Sequence, residues 1–177
     1  IYSLLALHEE GYSLEHPVLK RGIEALDSHW SYERDGAIYI QASESPVWDT
    51  LLTLMAMEDC DRTLDESESM RRAVEWVLEQ QIRVPGDWSV KVPHATPGGW
   101  AFERANLHYP DVDDTAVALS VLARLRGSYP DSERLERAIN DALSWTLAMQ
   151  SSNGGWAAFD KDNDHEILTQ LPFCDFG

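Results

Sequence analysis

Apolar residues recur at intervals of three and four along most of this chain, and the alternation expected of strands is almost absent. The pattern predicts helices over about 1–9, 17–31, 47–59, 66–83, 112–126 and 132–150. Start signals support them: Pro17 follows His16 at a first helical position, Asp65 or Glu66 precedes the run through Trp76, and Asp131 precedes Ser132. Gly127 is placed to close the helix that Asp111 opens, and Arg124 and Arg126 suit the negative end of its dipole. Segments 84–110 and 151–177 read as loops that are long for plain connectors, and long structured loops in helical bodies often line sites. The expected class is all-α.

Two stretches repeat weakly. Arg72-Ala73-x-x-Trp76-Val77-x-x-x-Gln81 is followed by Gly86-Asp87-Trp88, and Asp141-Ala142-x-x-Trp145-Thr146-x-x-x-Gln150 by Gly154-Gly155-Trp156. Arg21-Gly22-x-x-Ala25-Leu26-x-x-x-Trp30, with Gly36 beyond, reads as a worn third copy. A glutamine at a helix C-terminus can bond the exposed backbone of the next turn, and a glycine permits the bend. The tryptophan then covers the polar side chain and staples adjacent helices. Repeated helix pairs of this kind predict an α/α toroid or solenoid, with the tryptophans as scaffold. Gln81 and Gly86 stand one residue further apart than Gln150 and Gly154, which predicts a distorted first staple.

Asp111-Val112-Asp113-Asp114 opens a helix that continues almost without polar residues from Thr115 to Ala123. Asp111 is placed as an N-cap and Asp114 as the acid of a capping box, where the helix dipole favours negative charge. Capping leaves Asp113 surplus. Carboxylates crowded into one turn repel, so at least one tends to hold its proton above the ordinary range. A neutral aspartate at the mouth of an apolar surrounding can act as an acid towards a substrate with no polar handle. The bland alternative is a solvated acidic helix start. Magnesium favours clustered carboxylates, but Asp111 and Asp114 face one way and Asp113 another, with no second acidic motif on another helix. Asp160, Asp162 and Asp164 alternate as calcium loops do, yet lack the glycine and final glutamate of an EF-hand, so a solvated loop is the better reading.

Composition narrows the function classes. A formal charge of −17 argues against nucleic acid, because phosphate binding needs lysine and arginine. Cys60 and Cys174 are too few and too far apart for a disulfide framework or a zinc box, so they read as reduced, intracellular thiols. No apolar run approaches the length that crosses a bilayer, and no signal peptide is visible. Ile1 starts inside a helical pattern without a methionine, and Leu171–Gly177 stops inside an apolar run. Residues 1–177 therefore read as an incomplete segment of a larger protein.

The Gln-x-x-x-Gly-x-Trp unit at Gln150–Trp156, together with Asp111-Val-Asp-Asp-Thr115, resembles the squalene-hopene cyclases. So do Gln41-Ala-Ser-Glu-Ser-Pro-Val-Trp-Asp-Thr50, Gly98-Gly-Trp-Ala-Phe102, Tyr109-Pro-Asp and Pro172-Phe-Cys-Asp-Phe-Gly177, in the family's order. The resemblance implies part of an (α/α) toroid and an acid-initiated cationic polycyclisation of squalene to hopene and hopanol, with no metal or redox cofactor. It implies that Asp113 is the proton donor, with Asp111 and Asp114 holding and reloading its proton. Trp48 and Phe102 resemble cavity aromatics, which steady moving positive charge through their ring faces. Ala42 and Ser43 resemble small cavity-lining residues, and Phe173, Cys174 and Phe176 a wall segment. Phe159 stands where many bacterial members carry tyrosine, which keeps the ring face and loses a hydroxyl. The family's histidine that bonds the motif aspartates falls past Gly177, and none of His94, His108 and His165 matches it. Little or no cyclase activity is therefore expected of these 177 residues alone.

For the full-length family member the resemblance implies monotopic membrane association, with the docking surface outside this segment, which itself reads as soluble; a homodimer is left open. Three alternatives remain. A diterpene cyclase uses the same acid motif on a prenyl diphosphate, but only Arg104 stands near the motif to hold one. An α/α-toroid glycosidase would need two carboxylates across a polar cleft. A helical-repeat binding domain would reduce the aspartates to caps.

Overall fold

The computed structural model describes residues 2–41, 43–103 and 108–163. Their contacts divide the chain into two compact units, Ile1–Glu44 and Ser45–Gly177. The first unit carries helix α1 (Tyr2–Glu9) and helix α2 (Pro17–Ala25), which runs into one wide π turn at Leu26–Trp30. Strands β1 (Ser31–Arg34) and β2 (Ala37–Ile40) then pair antiparallel, with Ser31 opposite Ile40 and Arg34 opposite Ala37. The fold is therefore helix-rich with a small two-stranded sheet, not all-α, and the helix expected over residues 17–31 ends at Ala25.

The hairpin has a local cause. Asp35 and Gly36 both take positive φ, 54° and 76°, as a two-residue loop matching the strands' twist requires. Tyr32 and Tyr39 stack across the strands with ring centroids 5.4 Å apart. Gly36 is thus a hairpin turn, and Gln41 N–H bonds the Trp30 carbonyl at 2.7 Å, so the supposed third repeat is not a staple.

The second unit packs helices α3 (Pro46–Asp59), α4 (Glu68–Glu79), α5 (Val112–Arg124) and α6 (Ser132–Ala148) around one apolar core. Leu51 and Leu54 of α3, Val74 and Val77 of α4, Val121 and Leu122 of α5, and Ala138 and Ala142 of α6 are all buried there. Ser67, not Asp65 or Glu66, caps α4 by accepting the Met70 N–H at 3.2 Å. Asp131 caps α6 through the Arg134 N–H at 2.9 Å, as its position predicted. Gly127 takes a φ of 85° just past the end of α5.

The repeats are real, but the first closes on a different tryptophan. Gln150 Nε2 donates to the Gly154 carbonyl at 2.8 Å, Ser151 N–H to the Gly155 carbonyl at 2.8 Å, and Trp156 Nε1 to the Thr146 carbonyl at 2.7 Å. The same three bonds recur around Gln81. Its Nε2 donates to the Gly98 carbonyl at 2.7 Å, Ile82 N–H to the Gly99 carbonyl at 2.9 Å, and Trp100 Nε1 to the Val77 carbonyl at 2.7 Å. The partner of Gln81 is therefore Gly98-Gly99-Trp100, with residues 82–97 looped out between, and no distorted staple forms at Gly86. Trp88 packs edge-on to Trp145 instead, at 6.0 Å. Gln81 Nε2 also bonds the Ala138 carbonyl of α6 at 2.8 Å, so this buried glutamine joins α4, the Gly98 loop and α6.

Gly98 makes that junction possible. A Cβ there would lie 2.4 Å from the Asp141 carbonyl carbon and oxygen, which are rigid helix backbone. Gly98→Ala is expected to push the loop off α6 and to cost about 1–3 kcal/mol, the usual penalty of overpacking. Urea unfolding checks it; an unchanged midpoint would mean that the loop moves away freely.

Candidate active site

The N-terminus of α5 is held from both staples. Asp111 N–H donates to the Trp100 carbonyl at 2.9 Å, and Val112 N–H to the Ala158 carbonyl at 2.8 Å. Thr115 Oγ1 bonds the Asp111 carbonyl at 2.6 Å and receives the Trp100 N–H at 3.0 Å. Asp111 caps the helix, its Oδ1 accepting the Asp114 N–H at 2.7 Å. The reciprocal half of a capping box is absent, because Trp100 has already taken the Asp111 N–H. Fold and acid cluster thus share one set of bonds.

Beside this helix start lies a cavity of about 390 Å³. Asp111, Asp113 and Asp114 line it together, facing Trp48, Phe102 and Phe159. Tyr109, Ala158 and Glu103 complete the wall. Trp48 comes from the first turn of α3, and Phe102 and Phe159 each follow a staple tryptophan by a few residues. The three sequence-predicted aromatics described here do converge. Ser43 is exposed in the first unit, its carbonyl accepting the Gln41 side-chain amide at 3.1 Å. Ala42, Arg104, His165, Phe173, Cys174 and Phe176 lie outside the described residues.

The sequence reading passed over Tyr109 and Glu103 as wall residues. Tyr109 had a signal, since Pro110 stiffens the chain between it and the acid cluster. Glu103 had none. Asp160 and Asp162 have local partners: Asp160 pairs with Lys91 at 2.9 Å and Asp162 accepts the Ser152 N–H at 2.6 Å, while Asp164 lies outside the described residues.

Burial divides the three acids. Asp111 and Asp114 are 3% and 1% exposed, whereas Asp113 is exposed, the division that capping logic implied. Asp111 Oδ2 and Asp114 Oδ1 have no hydrogen-bond partner among the described residues. Burial, then the charge of Asp111 and the bond to its carboxylate, push the Asp114 carboxyl up to about 8. Asp111 is raised as well, chiefly by burial, although the Asp114 backbone N–H and side chain both favour its charged form. At neutral pH the pair therefore holds a proton between its two carboxyls. Among the described residues no hydrogen bond joins Asp113 to this pair; it acts on them through its charge.

A raised carboxyl has a signed consequence for stability. Folded Asp114 keeps a proton that the unfolded chain releases near 3.8, so its contribution is complete below that pH and lost as pH rises to about 8. The urea midpoint is expected to fall across this window. Asp114→Asn, which cannot ionise, should flatten most of the fall and leave the smaller share of Asp111, which has the same sign. An equally steep fall in the variant would show that Asp114 ionises normally.

Carboxyls are thus set into a largely aromatic wall of a helix-rich body. The chain belongs to the squalene-hopene cyclase family: the family's C-terminal domain matches residues 44–177. It is 44% identical to the squalene–hopene cyclase of Alicyclobacillus acidocaldarius over 99% of this chain and 27% of that protein. It is 45% identical to the squalene-hopene cyclase of Schizosaccharomyces japonicus over 78% of this chain and 22% of that protein. The squalene–hopene cyclase of Zymomonas mobilis is 40% identical over 94% of this chain and 26% of its own length. The similar proteins thus come from bacteria and from a fungus, and the chain spans about a quarter of their length.

Proposed function

We propose that this chain is the acid-bearing part of a squalene-hopene cyclase, which protonates a terminal alkene of squalene and closes its rings through cationic intermediates. The observation that carries this reading is the placement of three carboxyls on one wall of a cavity whose other named walls are largely aromatic. Asp113 is the donor: of the three aspartates that line the cavity it is the exposed one, while Asp111 and Asp114 are buried. A proton held by the Asp111–Asp114 pair removes one negative charge from beside Asp113, and the pair is a store from which a spent donor is reloaded. The faces of Trp48, Phe102 and Phe159 stabilise the travelling positive charge without attacking it.

The described wall contains no lysine or arginine, and its acids would repel a diphosphate, which favours a hydrocarbon over a prenyl diphosphate. Asp111, Asp113 and Asp114 sit on one helical turn, and apart from Glu103 the other lining residues are aromatic or apolar, unlike the polar cleft of a glycosidase. The helices are read as part of an (α/α) toroid. Monotopic membrane docking of the longer protein is proposed on the family alone; among the described residues no helix is long and apolar enough to cross a membrane.

A second reading gives the donor's role to Asp114, because that carboxyl holds its proton up to about 8. Both readings are tested by supplying squalene in detergent micelles to a polypeptide extended to the relatives' length and analysing products by gas chromatography and mass spectrometry. Hopene and hopanol support the cyclase. Consumption of geranylgeranyl diphosphate with squalene untouched would refute the hydrocarbon substrate.

A further inference from the structure

A second cavity, of about 430 Å³, lies against the first and shares two of its wall residues, Tyr109 and Phe159. These rings meet edge to face, with centroids 6.5 Å apart and planes at 73°, so they form a partition between the two spaces. The second space is mixed in character, lined also by Trp88 and Val90 and by Asp87, Lys91, His108 and Asp160. Tyr109 belongs to both sides, and its hydroxyl is committed to one. It donates to Asp87 Oδ2 at 2.7 Å, and Asp87 lines the second cavity and not the acid cavity.

This matters because, away from the acids, a ring face at the wall only steadies a passing cation, whereas an oxygen lone pair there can react with it. Such a lone pair can take a proton from a carbocation, leaving an alkene and ending ring closure early. We infer that Asp87 is a positioning residue: by accepting the Tyr109 hydroxyl it holds the phenol oxygen on the side of the second cavity and fixes the Tyr109 ring in its edge-to-face contact with Phe159. The acid cavity then meets carbon at this wall. Gly86 supports the arrangement. A Cβ on it would lie 2.1 Å from the His108 carbonyl oxygen, so only glycine lets the turn at Asp87–Val90 approach the backbone that carries Tyr109. The Asp87 bond and charge also raise the Tyr109 phenol above its ordinary range.

The inference rests on the cyclase reading, and its test has one arm that does not. In the first arm, tyrosine is labelled with carbon-13 at Cζ and titrated by nuclear magnetic resonance, with the Tyr109 signal assigned by its loss in Tyr109→Phe. Asp87→Ala is expected to lower the Tyr109 titration, and Asp87→Asn, which can still accept the hydroxyl, to retain the tether. A Tyr109 titration indifferent to Asp87→Ala overturns the proposal whether or not the protein cyclises anything. The second arm reads products from squalene in the extended enzyme. Asp87→Ala is expected to raise the share of incompletely cyclised alkenes several-fold, with substrate consumption largely kept. Asp87→Asn should restore the parent pattern, and Asp87→Ala combined with Tyr109→Phe should match Tyr109→Phe alone. An Asp87→Ala product shift that persists at full size when residue 109 is phenylalanine shows that Asp87 does not act through the hydroxyl, and overturns the proposal. If the parent enzyme leaves squalene untouched, the cyclase reading fails, and the titration arm alone decides the tether.

Discussion

Asparagine at position 113, in a polypeptide of the relatives' length, is expected to lower squalene consumption by about 10²–10⁴-fold, the usual contribution of a positioned general acid. Asparagine has nearly the shape of a carboxylic acid and lacks its transferable proton. Asp113 is exposed at the cavity and has no hydrogen bond to the buried pair, so the substitution should leave the fold within about 0.5 kcal/mol of the parent. Lost activity with retained stability would thus report chemistry and not unfolding. Asp114→Asn is the informative partner. Burial and the neighbouring Asp111 push the Asp114 carboxyl up to about 8, and an amide imitates its protonated form, so that variant should keep more activity than Asp113→Asn. The reverse order, with Asp114→Asn inactive and Asp113→Asn competent, would move the donor's role to Asp114.

Trp100→Ala is expected to cost about 3–5 kcal/mol, the range for removing a buried tryptophan. Trp100 is fully buried, and its indole N–H satisfies the Val77 carbonyl near the end of α4. Its backbone receives the Asp111 N–H and donates to Thr115, so a collapse there should also shift the acid cluster. Trp156 makes the matching bond to Thr146 but is 45% exposed, and Trp156→Ala should cost clearly less in this chain. Urea unfolding of the two variants measures the difference. A loss below about 1 kcal/mol for Trp100→Ala would be too small for a buried keystone.

The acid cluster was the most legible part of the chain, because capping is local. Asp111 and Asp114 stand three residues apart at a helix start, and that spacing alone separates two inward acids from one outward acid. The hairpin was less legible. Asp35-Gly36 is a turn signal, but Ile38 and Ile40 are 77% and 74% exposed, so no buried face imposes an alternating pattern on the strands. The first staple was misjudged for a different reason. Gly86 and Trp88 are the nearest glycine and tryptophan in sequence, yet loop closure becomes only slowly more costly with length. Sixteen looped-out residues, 82–97, therefore bring Trp100 to α4 at little extra cost.

By itself the sequence determined the helices of the second unit, the caps that begin α5 and α6, the second glutamine–tryptophan unit and the family, because each is written in short spacings that obey local rules. Only the tertiary structure decided which tryptophan closes the first unit, which aspartates lose their water, and that Tyr109 stands between two cavities with its hydroxyl turned to Asp87. Those outcomes depend on contacts between residues distant along the chain, and on desolvation, which has no value until packing assigns each side chain its neighbours.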